Sequence, residues 1–289
     1  MAEQVAKRRS EKPIVITWRR LKRNKLATLG LIIIVLMIIL AALAPYIIPY
    51  KVDAVNLKYK LKLPSAEHWF GTDELGRDIF SRLLYGARFS LQIGIIGVLI
   101  SATGGILLGS IAGYFGGATD NLIMRLMDVL QAIPGIVLAI AISATLGPGL
   151  NNCIIALSIS SIPNYARMTR ASILNVRKME YLEAATSINC SNTRIIVKHV
   201  LPNAFSPLIV QSTMGIAGTI MGAAMLSFIG LGVQPPTPEW GAMLSAGRNY
   251  LRDYPHLCIF PGVTIMIAVL SLNMLGDGLR DALDPKLKD

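Results

Sequence analysis

An all-α, polytopic membrane fold is predicted for this chain by its composition and by the spacing of its charges. Of the 289 residues, 53% are apolar and 16% are charged, whereas soluble domains carry about 25% charged residues. Several stretches contain no Asp, Glu, Lys or Arg for longer than the roughly 20 residues that a membrane-spanning helix needs. They run from Lys25 to Lys51, Arg88 to Asp120, Asp128 to Arg167, Lys198 to Glu239 and Asp253 to Asp277. Because these stretches are continuously apolar and do not alternate, they favour helices over a membrane barrel.

Six membrane-spanning helices follow from these stretches. The third stretch is long enough for two helices, since Gly147, Pro148 and Gly149 predict a turn within it. The first apolar run is too long for a cleaved signal core, so we expect it to remain as the first span. The predicted spans cover residues 26–48, 89–115, 122–146, 151–168, 205–231 and 256–277.

Lysine and arginine predict the orientation of the chain. Nine of them precede the first span, which places the N-terminus in the cytoplasm, and six spans return the C-terminus to the same side. The net charge of +11 is explained by this topology and by contact with anionic membrane lipid, so no nucleic-acid partner is expected. The predicted organisation is a basic cytoplasmic tail (1–25), the first span (26–48), an extracytoplasmic loop with an interfacial helix (49–88), a core domain with five spans (89–280) and a cytoplasmic C-terminal tail (281–289).

A basic segment with a polar corner separates the fourth and fifth predicted spans. Apolar residues between Leu182 and Ile188 share one side of a short helix, and the corner 189–192 follows it. Ser191 or Asn192 can cap a second helix. This helix should end just before Pro202, because proline lacks a backbone donor and clashes with the preceding turn. A helical hairpin on the cytoplasmic side is the expected result, and a plain solvated connector is the alternative.

This segment resembles the EAA loop of ABC importer permeases, in which Glu-Ala-Ala precedes a glycine corner and Leu-Pro closes the motif. The matching residues are Glu183, Ala184, Ala185, Leu201 and Pro202, and Asn189 stands at the usual glycine. Asparagine tolerates the left-handed backbone conformation better than most residues, so the corner can form. The resemblance implies that residues 169–203 are a coupling loop seated on a separate ATPase subunit, where Glu183 pairs with a basic residue.

A second motif, between Phe70 and Leu91, indicates which group of importer permeases the chain resembles. It reads GTDELGRDIFSRLLYGARFSL from position 71, and the helix that it predicts has one apolar and one charged face. This pattern favours an interfacial helix leading into the second span. The motif resembles the signature of the dipeptide, oligopeptide and nickel importer permeases, specifically their second (C-type) permease subunit, and the stretches 227–251 and 275–285 resemble the same family. A membrane anchor and a gate-lining role both remain open for the signature residues Gly71, Thr72, Asp73, Gly76, Arg77, Asp78 and Arg82.

Small residues recur at every fourth position along the second predicted span. They are Gly97, Ser101, Gly105, Gly109, Gly113 and Gly117. Such a stripe lets another helix approach closely, so we interpret Gly105, Gly109 and Gly113 as helix-packing residues. Arg125 and Asp128, three residues apart, are expected to pair on one face of the third span near the cytoplasmic surface.

The resemblance, together with one absence in the sequence, predicts the function. The chain contains no Gly-x-x-x-x-Gly-Lys-Ser/Thr motif and no evident catalytic or metal-ligating set, so we expect a non-catalytic subunit that binds no cofactor. The resemblance implies a permease of a bacterial or archaeal cytoplasmic membrane, with ATP and Mg bound by two cytoplasmic ATPase partners. It also implies a second, homologous permease (a heterodimer) and an extracytoplasmic substrate-binding protein. The expected reaction is ATP-driven uptake of di- or oligopeptides by alternating access.

Two alternatives remain at this stage. In the first, the same machinery imports nickel chelates or glutathione; the sequence does not predict which residues contact the substrate. The alternative from another class is a secondary transporter driven by an ion gradient. Such proteins usually show internal repeats, broken midplane helices or buried ionisable groups, and no convincing repeat is found here.

Overall fold

The computed structural model describes residues 13–177, 179–181 and 189–284. Within these ranges the chain is helical and contains no β-strand. The α-helices are α1 (Pro13–Arg23), α2 (Lys25–Ile47), α3 (Ile79–Phe115), α4 (Gly117–Gln131), α5 (Gly135–Leu146), α6 (Leu150–Val176), α7 (Asn192–Ile195), α8 (Leu201–Phe228), α9 (Trp240–Gly247) and α10 (His256–Leu283). Short 3-10 turns cover Leu57–Tyr59 and Arg248–Tyr250, and a π-helical segment, Ile196–Val200, joins α7 to α8.

Length and composition identify four or five candidate spans in the described part of the chain, so the prediction of six spans is confirmed only in part. By length and composition, the membrane-crossing candidates are α2, α3, α10 and the stretch Asn192–Phe228. The count rises to five if α4 and α5 together form one span. The predicted span 151–168 lies in α6, which has 27 residues but is not among the apolar candidates. Serine, threonine, asparagine and arginine side chains distributed along α6 account for this result.

The predicted continuous helix over 122–146 is wrong. Helices α4 and α5 meet at an angle of 82°, and Pro134, with ψ of 131°, is the residue before α5. Proline has no backbone N–H, and its ring disfavours helical geometry in the residue before it. The bend therefore has a local cause in the sequence.

Helix α3 packs most extensively against α6 and also contacts α2, α4 and α8. The approach to α6 is close: a Cβ atom built on Gly105 would lie 2.3 Å from the Cβ of Tyr165, and one on Gly109 would lie 2.4 Å from the carbonyl oxygen of Ala166. Gly113 continues the same line of contact. The small-residue stripe thus packs within this chain, because only glycine leaves room for the facing backbone.

Helix α10 lies between α2 and α8 and completes the bundle. At one end of α10, Ala282 packs with Leu21 of α1 and Ala27 of α2 in a small buried cluster. At the other end, α9 lies against both α10 and α8. The two ends of the bundle are therefore closed by different elements.

Candidate functional site

The predicted coupling segment is described only in part. Glu183, Ala184 and Ala185 lie outside the described residues. Asn189, at the corner, has φ of +56°. This value belongs to the left-handed region, which glycine adopts freely and asparagine tolerates. The corner therefore has a glycine-like backbone even though its residue is asparagine.

The helix after the corner, from Asn192 onward, is the second arm of the segment, and its end differs from the prediction. Ser191 is the N-cap residue of α7, but its side chain makes no capping hydrogen bond. The helix does not end before Pro202; it continues through the π-helical segment into α8, so that Asn192–Phe228 is one long stretch. Leu201 and Pro202 directly follow the π-helical segment, so the residue without a backbone N–H lies at an irregular turn of the helix and not within its regular interior.

The second arm is fastened to the ends of α3 and α6. At the end of α3, the hydroxyl of Tyr114 donates a hydrogen bond of 2.8 Å to Oδ1 of Asn192. An apolar cluster joins the arm to α6 and to the start of α8, and its members are Ile173, Val176, Ile195, Val200 and Ala204. Displacement of the arm would therefore press directly on α6.

The signature residues form a buried polar group at the opposite end of the bundle, which we call the outer polar cluster: His68, Asp73, Arg77, Asp78 and Arg82. Each of these residues is at most 8% exposed. Nε of Arg77 donates to Oδ2 of Asp73 at 2.6 Å, and Nε of Arg82 lies 3.6 Å from the same oxygen. The second oxygen of Asp73 accepts two backbone N–H groups. The buried charges thus satisfy one another, as burial requires.

Arg82 also connects two distant loops. Its Nη1 donates to the carbonyl oxygen of Val52 at 2.7 Å, and its Nη2 donates to that of Pro236 at 3.3 Å. One guanidinium therefore holds the loop after α2, the start of α3 and the loop before α9 together.

Asp78 begins helix α3. Its Oδ2 accepts hydrogen bonds from the backbone N (2.8 Å) and the hydroxyl (2.7 Å) of Ser81, and its Oδ1 lies 2.9 Å from Nδ1 of His68. Residues 79–88, where we expected an interfacial helix leading into the second span, are the first turns of the unbroken helix α3. Ile79 and Leu83 are buried there. Arg77, Asp78 and Arg82 are buried and paired, whereas Arg88 is exposed.

Backbone turns shape the loop that carries the outer polar cluster. Gly71 and Gly76 have φ of +78° and +71°, in the region that favours glycine. Oγ1 of Thr72 accepts a backbone N–H from the preceding part of the loop at 2.9 Å. At the loop surface, a hydrogen bond to Glu67, followed by the charge of that carboxylate, raises the pKa of the Tyr59 hydroxyl.

Sequence reasoning missed a third buried acid, Glu239, which is 1% exposed. Its carboxylate accepts the backbone N–H groups of Gly241 and Ala242 in α9 and the hydroxyls of Ser90 (3.1 Å) and Ser227 (3.0 Å). Glu239 therefore ties α9 to α3 and α8. An acidic residue directly before Trp240, at the end of a proline-rich loop, is a helix-start signal that could have identified it.

The ion pair expected between Arg125 and Asp128 is not found in the described structure. Oδ1 of Asp128 lies 2.5 Å from Nη2 of Arg167, on helix α6. Asp120, two turns earlier on α4, binds Arg170 of α6. The acids of α4 therefore face α6 and do not pair along their own helix.

A groove of about 410 Å³ opens between α5, α6 and α8. This volume is within the range of about 300–1,000 Å³ that is typical of small-molecule sites. Among its lining residues there is no Asp, Glu, Lys, Arg or His. Its polar side chains include Ser160, Ser161, Asn164 and Gln211, and Met221 and Met225 contribute apolar surface.

Comparisons with known proteins identify close relatives. The chain is 49% identical over 271 residues to the dipeptide transport system permease protein DppC of Alkalihalophilus pseudofirmus, covering 94% of this chain and 89% of that protein. It is 50% identical over 274 residues to the glutathione transport system permease protein GsiD of Escherichia coli O6:K15:H31, covering 94% and 90%. It is 46% identical over 283 residues to the di/tripeptide transport system permease protein DppC of Pseudomonas aeruginosa, covering 96% and 93%.

Solved structures and family signatures agree with these relatives. The fold matches the inward-facing MetNI methionine ABC transporter with a TM-score of 0.58 at 19% identity, over 71% of this chain and 98% of that chain. It matches an amino acid ABC transporter with a TM-score of 0.54 at 16% identity, over 70% and 94%. Residues 12–64 match the N-terminal transmembrane domain of oligopeptide transport permease C, and residues 105–289 match the binding-protein-dependent transport system inner membrane component. The chain therefore belongs to the family of binding-protein-dependent transport system inner membrane components, as a multi-pass permease of the ABC type.

Proposed function

We propose that this permease forms one half of the translocation pathway in an ATP-driven importer of di- or oligopeptides. The observation that carries this proposal is the construction of the cytoplasmic segment. Its corner has a left-handed residue, Asn189, and its second arm is fastened to α3 and α6. A segment fixed in this way can pass the movement of an attached subunit to the membrane helices.

The groove between α5, α6 and α8 supports a peptide substrate. Serine, asparagine and glutamine side chains can hydrogen-bond the amide groups that all peptides share. Methionine is flexible and polarizable, so Met221 and Met225 suit side chains of varied shape. Because no charged residue lines the groove, the groove does not favour peptides whose side chains carry one particular charge. Glutathione is the second candidate substrate, because a glutathione permease is 50% identical to this chain.

We further propose that the chain crosses the membrane six times, with both termini in the cytoplasm. Helix α6 would be the crossing that is too polar to qualify on composition, and its contacts with α3, α4, α5 and α8 shield it from lipid. The basic residues of α1 and the cytoplasmic segment support this orientation. The loop before α9 then faces the extracytoplasmic side.

The complete importer requires partners. A second, homologous permease would form the other half of the pathway, two cytoplasmic ATPase subunits would bind ATP and Mg, and an extracytoplasmic binding protein would deliver the substrate. The chain itself would hold no cofactor. In this arrangement Glu183, Ala184 and Ala185 contact an ATPase, and ATP-driven movement of the segment rocks the two halves around a central cavity.

A secondary transporter is the competing function. The bend between α4 and α5 resembles the broken helices of such proteins. Family membership and the arm fastened to α6 favour the ATP-driven importer.

Purification and reconstitution distinguish these functions. The full complex is placed in vesicles with its binding protein, and uptake of a labelled dipeptide and of glutathione is measured with and without ATP. We expect ATPase subunits to co-purify and uptake to require ATP. Uptake by this chain alone, driven by an ion gradient, would contradict the proposal.

Glu183→Arg should uncouple uptake from ATP hydrolysis, because it reverses the charge at the proposed ATPase contact. Glu180→Arg makes the same change of charge three residues before Glu183 and serves as the control. Unaltered uptake in the Glu183→Arg complex would remove the coupling role from this segment.

A further inference from the structure

We propose that Asp120 and Arg170 are positioning residues that transmit movement of the cytoplasmic segment to the groove. The inference rests on the proposed function, since it concerns how ATP hydrolysis elsewhere in the complex is coupled to transport. It assigns this role to a contact between α4 and α6 that neither the motifs nor the outer polar cluster includes.

Three polar contacts join α4 to α6, and we call them the α4–α6 clamp. Nε of Arg170 donates to Oδ1 of Asp120 at 2.5 Å, while Nη2 of Arg170 bonds the second carboxylate oxygen. The other two contacts are Arg167 to Asp128 at 2.5 Å and Gln131 to Asn164 at 2.6 Å. Because the two helices run antiparallel, the contacts follow one another along α4 from the cytoplasmic end toward the bend.

The clamp holds α4 in a position that apolar packing alone would secure poorly. Met127 is the buried residue of this helix. Leu122, Leu126 and Val129 are 64%, 55% and 68% exposed in the single chain. Little apolar area therefore fixes α4 against α6, and the ionic contacts determine how closely α4 follows the movement of α6.

The clamp lies within a continuous series of contacts from the cytoplasmic segment to the groove. Ile173, one turn after Arg170 on α6, packs against the second arm of the segment. On the other side of the clamp, α4 leads through the 82° bend into α5. Gly135 and Ile136, in the first turn of α5, line the groove. Helix α6 lines the groove itself, and its movement can also reach the α5 wall of the groove through α4, provided that the clamp holds.

The three contacts are not equivalent. The side chains of Arg170 and Asp120 are 34% and 13% exposed and meet at two points, which is the stronger arrangement for a carboxylate and a guanidinium. The side chains of Arg167 and Asp128 are 48% and 61% exposed, and an exposed pair contributes only about 0–1 kcal/mol. The coupling role therefore falls on Asp120 and Arg170, and Asp128 offers a matched control on the same helix.

The test uses the whole reconstituted complex with its binding protein, and measures peptide molecules imported per ATP hydrolysed. Asp120→Asn removes the charge with almost no change in shape. We expect Asp120→Asn to lower this ratio by about five- to tenfold, which is within the usual range of coupling free energies between two sites. The amount of assembled complex should stay at the wild-type level. Asp128→Asn should stay within about twofold of wild type, as expected for an exposed pair.

A charge exchange gives the second arm of the test. The double variant Asp120→Arg/Arg170→Asp restores opposite charges across the same contact and should recover at least half of the lost ratio. Arg170→Lys keeps the charge without the two-point geometry and should fall between Asp120→Asn and wild type. A purely structural role would change the amount of complex and leave the ratio unaltered.

Three results would overturn the inference: a wild-type ratio in Asp120→Asn, equal losses in Asp120→Asn and Asp128→Asn, or an assembled exchange variant without recovery. These results differ from failure of the proposed function. If the unmodified complex shows no ATP-dependent uptake, the function fails before the variants are compared.

Discussion

The two ends of the permease are held together by different forces. At the outer end, five charged or ionisable side chains that are nearly inaccessible to water bind one another, and Arg82 joins three chain segments. At the end that we propose to be cytoplasmic, the ionic contacts between α4 and α6 are partly exposed, and the second arm of the coupling segment is held by a small apolar cluster and one hydrogen bond.

This difference indicates which end is built to rearrange. Removing one partner of a buried charge pair costs about 3–5 kcal/mol, whereas an exposed pair can separate for about 1 kcal/mol or less. We therefore expect the end with the outer polar cluster to act as a stable frame, and the exposed contacts of the other end, such as that of Arg167 with Asp128, to separate more readily. Variants at the two ends should consequently affect different measurements.

The largest effect is expected for Asp73→Ala, which leaves Arg77 and Arg82 buried beside each other without their shared carboxylate. We expect a loss of about 3–5 kcal/mol in the free energy of unfolding, measured as a lower denaturation midpoint of the purified protein. Glu74→Ala is the control, because the Glu74 side chain is 25% exposed and makes one contact of 3.3 Å with Arg77. Equal losses in both variants would contradict the view of the outer end as a buried frame.

An intermediate effect is expected for Gly109→Ala, within the α3–α6 contact. The new Cβ atom would lie 2.4 Å from the carbonyl oxygen of Ala166, and such overpacking costs about 1–3 kcal/mol. Gly218→Ala provides the control, since no heavy atom lies within 4 Å of a Cβ built there. Thermal denaturation of both variants measures the difference, and a stable Gly109→Ala protein would show that α3 and α6 can separate without penalty.

The smallest effect is expected at the corner of the proposed coupling segment. Asn189→Val places a β-branched residue at φ of +56°, which should cost about 1–2 kcal/mol and loosen the corner without unfolding the bundle. Asn189→Gly should retain or slightly improve the local structure. Hydrogen exchange of the segment and ATPase retention during purification measure the effect; identical behaviour of the two variants would show that this backbone conformation does not matter.

Local patterns in the sequence predicted the parts of this structure that depend on local forces. Continuous apolar runs locate α2, α3, α8 and α10, because a backbone in lipid must satisfy its own hydrogen bonds. The glycine spacing on α3 predicted a close helix contact for a similarly local reason. The bend before α5 also had a local signal, Pro134, but the apolar character around it favoured one continuous helix.

Long-range pairing explains what the sequence did not reveal. Arg77, Asp78 and Arg82 suggested a helix face in water, because a charge is normally exposed. Their burial depends on partners such as the carbonyl oxygen of Pro236, which lies 154 positions from Arg82. The pairing of Asp128 with Arg167 is equally non-local. The polar side chains of α6 were likewise hard to interpret before the helices that cover them were known.

Helix α3 is longer than the thickness of the hydrocarbon layer that it crosses. Its 37 residues span about 55 Å at about 1.5 Å per residue, whereas the hydrocarbon layer is about 30 Å thick. Even when tilted, such a rod extends beyond the lipid tails at one or both ends. Its first turn can therefore lie among lipid headgroups and water, where the arginines and aspartates around it avoid the free-energy cost of transfer into hydrocarbon. A soluble protein that binds at that end would contact a rigid surface raised above the lipid tails.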